Sequence, residues 1–341
     1  MKKNFALLIV SLILSLLVVE LFFRVFYPIN MQSWYAERIT EKNLDTLKKN
    51  YVHKIDRWNW KYYAKYTFGE YRNRVTQPLN NKGDKILILG DSFTFGLYLK
   101  DNDTYINKLQ NEFSQYNLIN SSVPGWSLED YYLFTKNYCK TIDPKKIIVI
   151  LNDGDLARIR QPAIRKSSKS FKERYFIYRV LIENVMTIAF LRDNIYDIKE
   201  IFTGGEKFSP KKPQKKIQGT AIEFDKNTSQ EIVNDAEKIF LDLKFVSDEC
   251  NASLHIINLG WTKEKNEDDI LNDPGQLFIK INKHFFKNNF INFYNNSNLL
   301  KDVHSDKEKF IIKNEGHPNE LGAEKIFESL SVHFNEILKY T

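Results

Sequence analysis

Only two cysteines, Cys139 and Cys250, occur in 341 residues. That number builds no disulfide framework, and neither cysteine stands in a Cys-x-x-Cys or histidine-rich setting. Both read as small packed residues at helix ends, with one disulfide between them as the alternative in an oxidising compartment. Ligand spacing for zinc or calcium is missing too, so no metal and no other cofactor is expected. Also missing is the small-x-small cleavage site that would follow a removed signal peptide. Where it would fall, the chain has Glu20, Phe22 and Phe23.

What is present at the N-terminus is a basic flank, Lys2 and Lys3, and then a run of Phe, Leu, Ile and Val from Phe5 to Val19 that resumes at Leu21. A run of this length matches a bilayer, and the lysines belong on the cytoplasmic side. Residues 1–27 are therefore expected to be an uncleaved transmembrane signal anchor, with the remainder on the extracytoplasmic, periplasmic side. Such placement removes the chain from nucleic acid. The net charge of +7 suits an anionic envelope or glycan surface, or reflects no more than abundant lysine. Residues 28–80 form an aromatic-rich arm in which Trp58, Trp60, Tyr62, Tyr63 and Tyr66 either pack on the following domain or make a carbohydrate-stacking strip.

From residue 81 to 341 strand and helix patterns alternate, which implies parallel βαβ units with right-handed crossovers. Strands are expected at 85–90, 117–120, 146–152, 253–259 and 290–294, and helices at 103–115, 128–141, 229–250, 275–288 and 319–338. The fold class expected is α/β, a three-layer α/β/α domain with a five-stranded parallel sheet. Thr228-Ser229-Gln230-Glu231 reads as a capping box opening the third helix. Ile232, Ala236, Ile239, Phe240 and Leu243 then follow at helical spacing. Pro318 and Asn319 read as the start of the last helix. Residues 155–226 are a basic insertion with an apolar stretch, Tyr175 to Leu191. Placed directly after a strand end, it is a lid candidate; a solvated basic loop is the competing reading.

Four short blocks carry the chemistry. Gly90-Asp91-Ser92 follows the apolar run Lys85–Leu89, so it turns at the carboxyl end of a buried strand, where open α/β sheets place active sites. Pro124-Gly125 follows the second strand, Asn152-Asp153 the third, and Asn314-Glu315-Gly316-His317 precedes the last helix. A serine needs a base within hydrogen-bond reach. Of six histidines, His317 alone has a suitable setting; His53, His255, His284, His304 and His333 read as structural or exposed.

In this order and spacing the four blocks resemble the SGNH (GDSL) hydrolases, over residues 82 to 335. The resemblance implies a flavodoxin-like sheet and an acyl-serine mechanism. Ser92 would be the nucleophile and His317 the base. The backbone N–H groups of Ser92 and Gly125 and the side-chain amide of Asn152 would hold the oxyanion. Two positions depart from the family pattern. Ile150 stands where the third block usually has glycine, and Asn314 where the usual aspartate lies three residues before the histidine. Glu315 is expected as the acid that orients His317, with Asn314 as the alternative. Asp91 and Asp153 are read as structural.

The resulting expectation is a membrane-anchored serine esterase acting on an O-acyl group, in particular O-acetyl, of an envelope or extracellular glycan. O-acyltransferase on a polysaccharide, lipid esterase or thioesterase, and a catalytically lapsed glycan-binding or assembly protein are the alternatives.

Overall fold

The computed structural model describes residues 2–26, 54–55, 63–64, 74, 82–159, 185, 187, 226–263, 265, 270–271, 273–281, 283–312 and 316–339. The chain divides into two compact units. One comprises residues 1–33, 53–63 and 162–216, and the other residues 34–52, 64–161 and 217–341.

In the first unit, helix α1 runs Lys2–Phe26. Its Leu, Ile and Val side chains from Leu7 to Leu21 are exposed. No helix among the described residues is long and apolar enough to cross a membrane. The transmembrane anchor expected at residues 1–27 is therefore not shown. Glu20, the one acid of the apolar run, accepts hydrogen bonds at 2.9 Å from both the backbone N–H and the hydroxyl of Thr187. The rest of the apolar stretch from Tyr175 to Leu191, apart from position 185, lies outside the described residues, as do Trp58, Trp60, Tyr62 and Tyr66 of the arm.

The second unit holds the sheet. Its strands are β1 (Lys85–Leu89), β2 (Asn117–Asn120), β3 (Lys146–Leu151), β4 (Ser253–Asn258) and β5 (Asn292–Asn295). They pair in the order β2-β1-β3-β4-β5, all parallel. The alternation along β1 shows why both faces must be covered. Ile86 and Ile88 enter one apolar cluster and Leu87 and Leu89 the other, and all four are inaccessible to solvent. Each such side chain contributes roughly 2 kcal/mol by leaving water.

Helices α4 (Leu128–Ile142), α6 (Lys226–Glu249) and α7 (Pro274–Ile281) cover the Leu87 face through Tyr131, Phe134, Ile232, Phe240 and Phe278. Helices α3 (Tyr105–Glu112) and α11 (Glu320–Lys339) cover the Ile86 face through Ile106, Leu109, Ile326, Leu330 and Phe334. Shorter helices complete the domain: α2 (Ser92–Phe95), α5 (Asp153–Ala157), α8 (Lys283–Asn288), α9 (Lys301–Ser305) and α10 (Lys307–Phe310).

Several local expectations are corrected. Helix α6 begins at Lys226, so Thr228 to Glu231 lie inside it and Ser229 is buried rather than a cap. Asn319, not Pro318, opens α11: its side-chain oxygen accepts the Gly322 N–H at 2.9 Å, while Pro318 forms a bridge to Ile311. The last strand starts at Asn292, after Phe290 turns the chain at φ 55°. Cys139 and Cys250, at the ends of α4 and α6, are disulfide-bonded, with Cα atoms 6.0 Å apart. The alternative reading of the pair is the one observed.

Candidate active site

The strand order reverses between β1 and β3, and the crevice outside the carboxyl ends at such a point is where open α/β sheets bind ligands. Ser92 follows β1 and Asn152 follows β3, so both stand there. Backbone chemistry shapes the corner. Asp91 is extended (φ −95°) and its Oδ1 accepts the Phe93 N–H at 2.9 Å, capping α2. Gly90 is required by space, because a Cβ there would meet Thr94 Oγ1 at 2.2 Å.

His317 meets this corner. Its Nε2 lies 2.9 Å from Ser92 Oγ, the reach required of a base for a serine. The imidazole is flanked by Phe93, with ring centroids 5.2 Å apart, and by Tyr98, edge-on at 5.6 Å. Tyr98 holds φ 70°, a backbone conformation uncommon for a bulky residue and a mark of local strain. The loop that carries it is clamped by Arg74. That guanidinium donates to the carbonyls of Phe95, Gly96 and Leu99 at 2.6 to 2.7 Å and pairs with Asp101. Arg74 thus gives the segment expected to be a connecting arm one firm contact with the nucleophile corner.

Gly125 occupies the third position of a turn in which Trp126 N–H donates to Val123 carbonyl at 3.2 Å. Its φ of 80° after Pro124 is the geometry that calls for glycine in a type II turn. Val123 N–H donates to the Gly90 carbonyl, which sets this loop beside the serine. Asn152 Nδ2 lies 3.4 Å from Asp91 Oδ2, placing the third block against the first. Ser92, Gly125, Asn152 and His317 are thus all at the carboxyl edge of the sheet. Asn314 and Glu315 lie outside the described residues, and so does the Asp153 side chain.

Sequence reasoning missed the group behind the corner. Arg158 falls within the basic insertion expected at 155–226, where its charge alone does not set it apart from the other cations. Its Nη2 donates to Asp91 Oδ2 at 3.0 Å and to Asp155 Oδ1, and its Nε donates to the Trp126 carbonyl at 3.1 Å. Asp155 Oδ2 also accepts the Asn152 N–H and the Tyr131 hydroxyl, each at 2.9 Å. Burial, and after it the Asp91 carboxylate, pushes the Asp155 carboxyl well above the usual range. Burial opposes the Arg158 charge, but Asp155 and Asp91 outweigh it and hold the guanidinium above its ordinary value. Burial likewise raises the Tyr131 phenol. The only advance signal was spacing: Asn152, Asp155 and Arg158 recur every third residue.

The other described histidines are elsewhere. His255 sits in β4, His284 in α8 and His333 in α11, while His304 Nε2 contacts the Gly260 carbonyl at 2.8 Å. His53 is outside the described residues. Among the described residues no cluster of three or more His, Cys, Asp or Glu is arranged to hold a metal.

No family model matches this chain, and no curated protein does. Among solved structures it is similar to TesA at 10% identity, over 75% of this chain and 100% of that one, with a TM-score of 0.45. It is similar to the psychrotrophic esterase EstA from Pseudoalteromonas sp. at 11% identity, over 75% and 99% of the two chains, with a TM-score of 0.42. A member of the lipolytic protein G-D-S-L family from Veillonella parvula DSM 2008 is 12% identical, over 76% of this chain and 100% of that one, with a TM-score of 0.43.

Proposed function

We propose that the chain is a serine ester hydrolase of the SGNH type, held at a membrane by α1 and acting on an O-acyl group of an extracytoplasmic glycan. The observation that carries the reading is the 2.9 Å contact between Ser92 Oγ and His317 Nε2 at the switch point of the sheet. Fixed loops from β2 and β3 converge on the same edge.

In this reading His317 Nε2 takes the Ser92 hydroxyl proton as Oγ attacks the acyl carbonyl carbon. The carbonyl oxygen becomes an oxyanion, held by the N–H groups of Ser92 and Gly125 and by the Asn152 amide. When the intermediate collapses, the ester C–O bond breaks and the alcohol leaves with the proton from His317. Water then gives a proton to His317 as it attacks the acyl-serine carbonyl, and when this second intermediate collapses the bond from the acyl carbon to Ser92 Oγ breaks, His317 returns the proton to Oγ and the acid leaves. No step calls for a cofactor. Support for the anchor is the 25-residue length of α1, its lysine flank and its exposed leucines. The glycan is inferred from the compartment that this anchor implies.

The test is labelling by a fluorophosphonate, followed by hydrolysis of nitrophenyl esters of increasing acyl length beside acetylated glycans. Labelling confined to Ser92, with preference for short acyl chains, is expected. An unlabelled Ser92 would discard the hydrolase reading. A reporter fused after Thr341 that works only in the cytoplasm would discard the anchor.

A further inference from the structure

We infer that Arg158 is a positioning residue for the oxyanion site, tying together the three loops that supply its donors. The inference rests on the hydrolase reading and adds to it a residue outside the four blocks. One guanidinium reaches all three loops. Through Asp91 it touches the nucleophile corner, because the carboxylate that receives Arg158 Nη2 on one oxygen caps Phe93 N–H with the other. Its Nε holds the carbonyl of Trp126, the residue after Gly125. On the third loop it binds Asp155, whose second oxygen accepts the Asn152 N–H.

Asp91 Oδ2 is the shared point, accepting from Arg158 Nη2 at 3.0 Å and lying 3.4 Å from Asn152 Nδ2. That approach fixes the direction of the Asn152 amide. Oxyanion stabilisation depends on such fixed direction, because donors already in place need no reorganisation as charge develops.

The electrostatic setting makes arginine necessary rather than convenient. Asp91 and Asp155 side chains are 2% and 0% exposed. Two carboxylates so buried require a cation, and removing it leaves uncompensated charge or forces a proton onto the pair. Arg158 also uses two separate nitrogens in different directions, a planar fork that lysine lacks. Gly154 leaves room for it, since a Cβ there would sit 3.2 Å from Arg158 Nη1.

The experiment is a double-mutant cycle on the full chain, with ester hydrolysis and thermal unfolding measured together. Arg158→Gln is expected to lower kcat by roughly ten- to a hundredfold, a fraction of what one lost oxyanion donor costs, with KM changed by less than about threefold. In an Asn152→Ala background the same substitution should cost markedly less, because residues acting as one unit are non-additive. Arg158→Lys, which keeps the charge and the fold, should recover unfolding temperature but not kcat. If Arg158→Gln fails to accumulate, Arg158→Lys carries the same cycle. An unchanged kcat in Arg158→Lys, or equal losses in both backgrounds, overturns the inference while active wild-type enzyme leaves the hydrolase reading standing. Wild-type Ser92 that no fluorophosphonate labels overturns both.

Discussion

Among the described residues two serine–histidine contacts of equal length lie at the ends of the sheet, and only one has the surroundings that the proposed chemistry needs. Ser92 and His317 meet at 2.9 Å at the carboxyl end of β1, and Ser253 and His255 meet at 2.9 Å near the amino end of β4. Ser253 and His255 are two apart on one strand, so the pleat alone brings them together. Ser92 and His317 are separated by more than 200 residues and meet because two loops were built to meet. Around Ser92 there are a capped corner, a glycine turn and an amide. Around His255 there are Lys146 and Tyr294, the latter stacked at 6.1 Å. Hydrogen-bond distance between a serine and a histidine does not identify a nucleophile; the groups awaiting the developing charge do.

The sharpest test of this contrast is removal of each pair. Ser92→Ala and His317→Ala should each lower esterase turnover by about four orders of magnitude or more, and the double substitution should be little worse than either alone. Ser253→Ala, on an exposed position at the strand start, should leave turnover within about twofold. Comparable losses from both serines would erase the distinction.

A loss nearly as large is expected at the acid. If Glu315 orients His317 and stabilises imidazolium, Glu315→Gln should lower kcat by about a thousandfold with KM little altered. Asn314→Ala should be mild. Normal turnover in Glu315→Gln together with faster turnover in Asn314→Asp would move the role to position 314. Both are read out on one ester, side by side. Below these comes Asn152→Ala, expected to keep fluorophosphonate labelling at Ser92 while losing about a hundredfold in kcat. Retained turnover would remove Asn152 from the oxyanion site and would leave its 3.4 Å approach to Asp91 as a purely structural contact.

Legibility followed the range of the interactions. Strands β1 and β3 were readable because Ile and Leu runs covered on both faces have no other use in so short a span, and the positions of Ser92 and Asn152 because each terminates such a run, whereas Gly125 and His317 were readable only from the order and spacing of the blocks. Arg158 was not readable. Its neighbours Arg160, Arg165 and Lys166 made a charge run, and nothing local says that one guanidinium turns inward to two carboxylates 67 and 3 residues away. The capping pattern at Thr228 misled for the opposite reason: it is purely local, and α6 begins three residues before the expected start. Arg74 and the Cys139–Cys250 bond depend on contacts between segments far apart in sequence, which spacing does not encode. Tyr98 at positive φ had no signal, since strain is a property of the folded loop.

The gentlest probe of the comparison is pH. Burial, aided by the Lys146 cation across the strand pair, lowers the His255 imidazole to about 4 from its ordinary value. A histidine with a depressed folded-state pKa binds its proton more readily when unfolded. The native state therefore loses stability as pH falls from the unfolded value of about 6.5 toward 4, and it gains none from this group above 6.5. The full effect is on the order of 3 kcal/mol, reached only near pH 4. His255→Gln, which keeps a partner for the Ser253 hydroxyl and cannot titrate, should flatten unfolding stability between pH 6.5 and 4 while leaving activity at pH 8 unchanged. Denaturant unfolding at several pH values makes the measurement. An unaltered slope in the variant would mean that His255 takes up its proton without cost, and that the amino end of the sheet is wetter than its packing indicates.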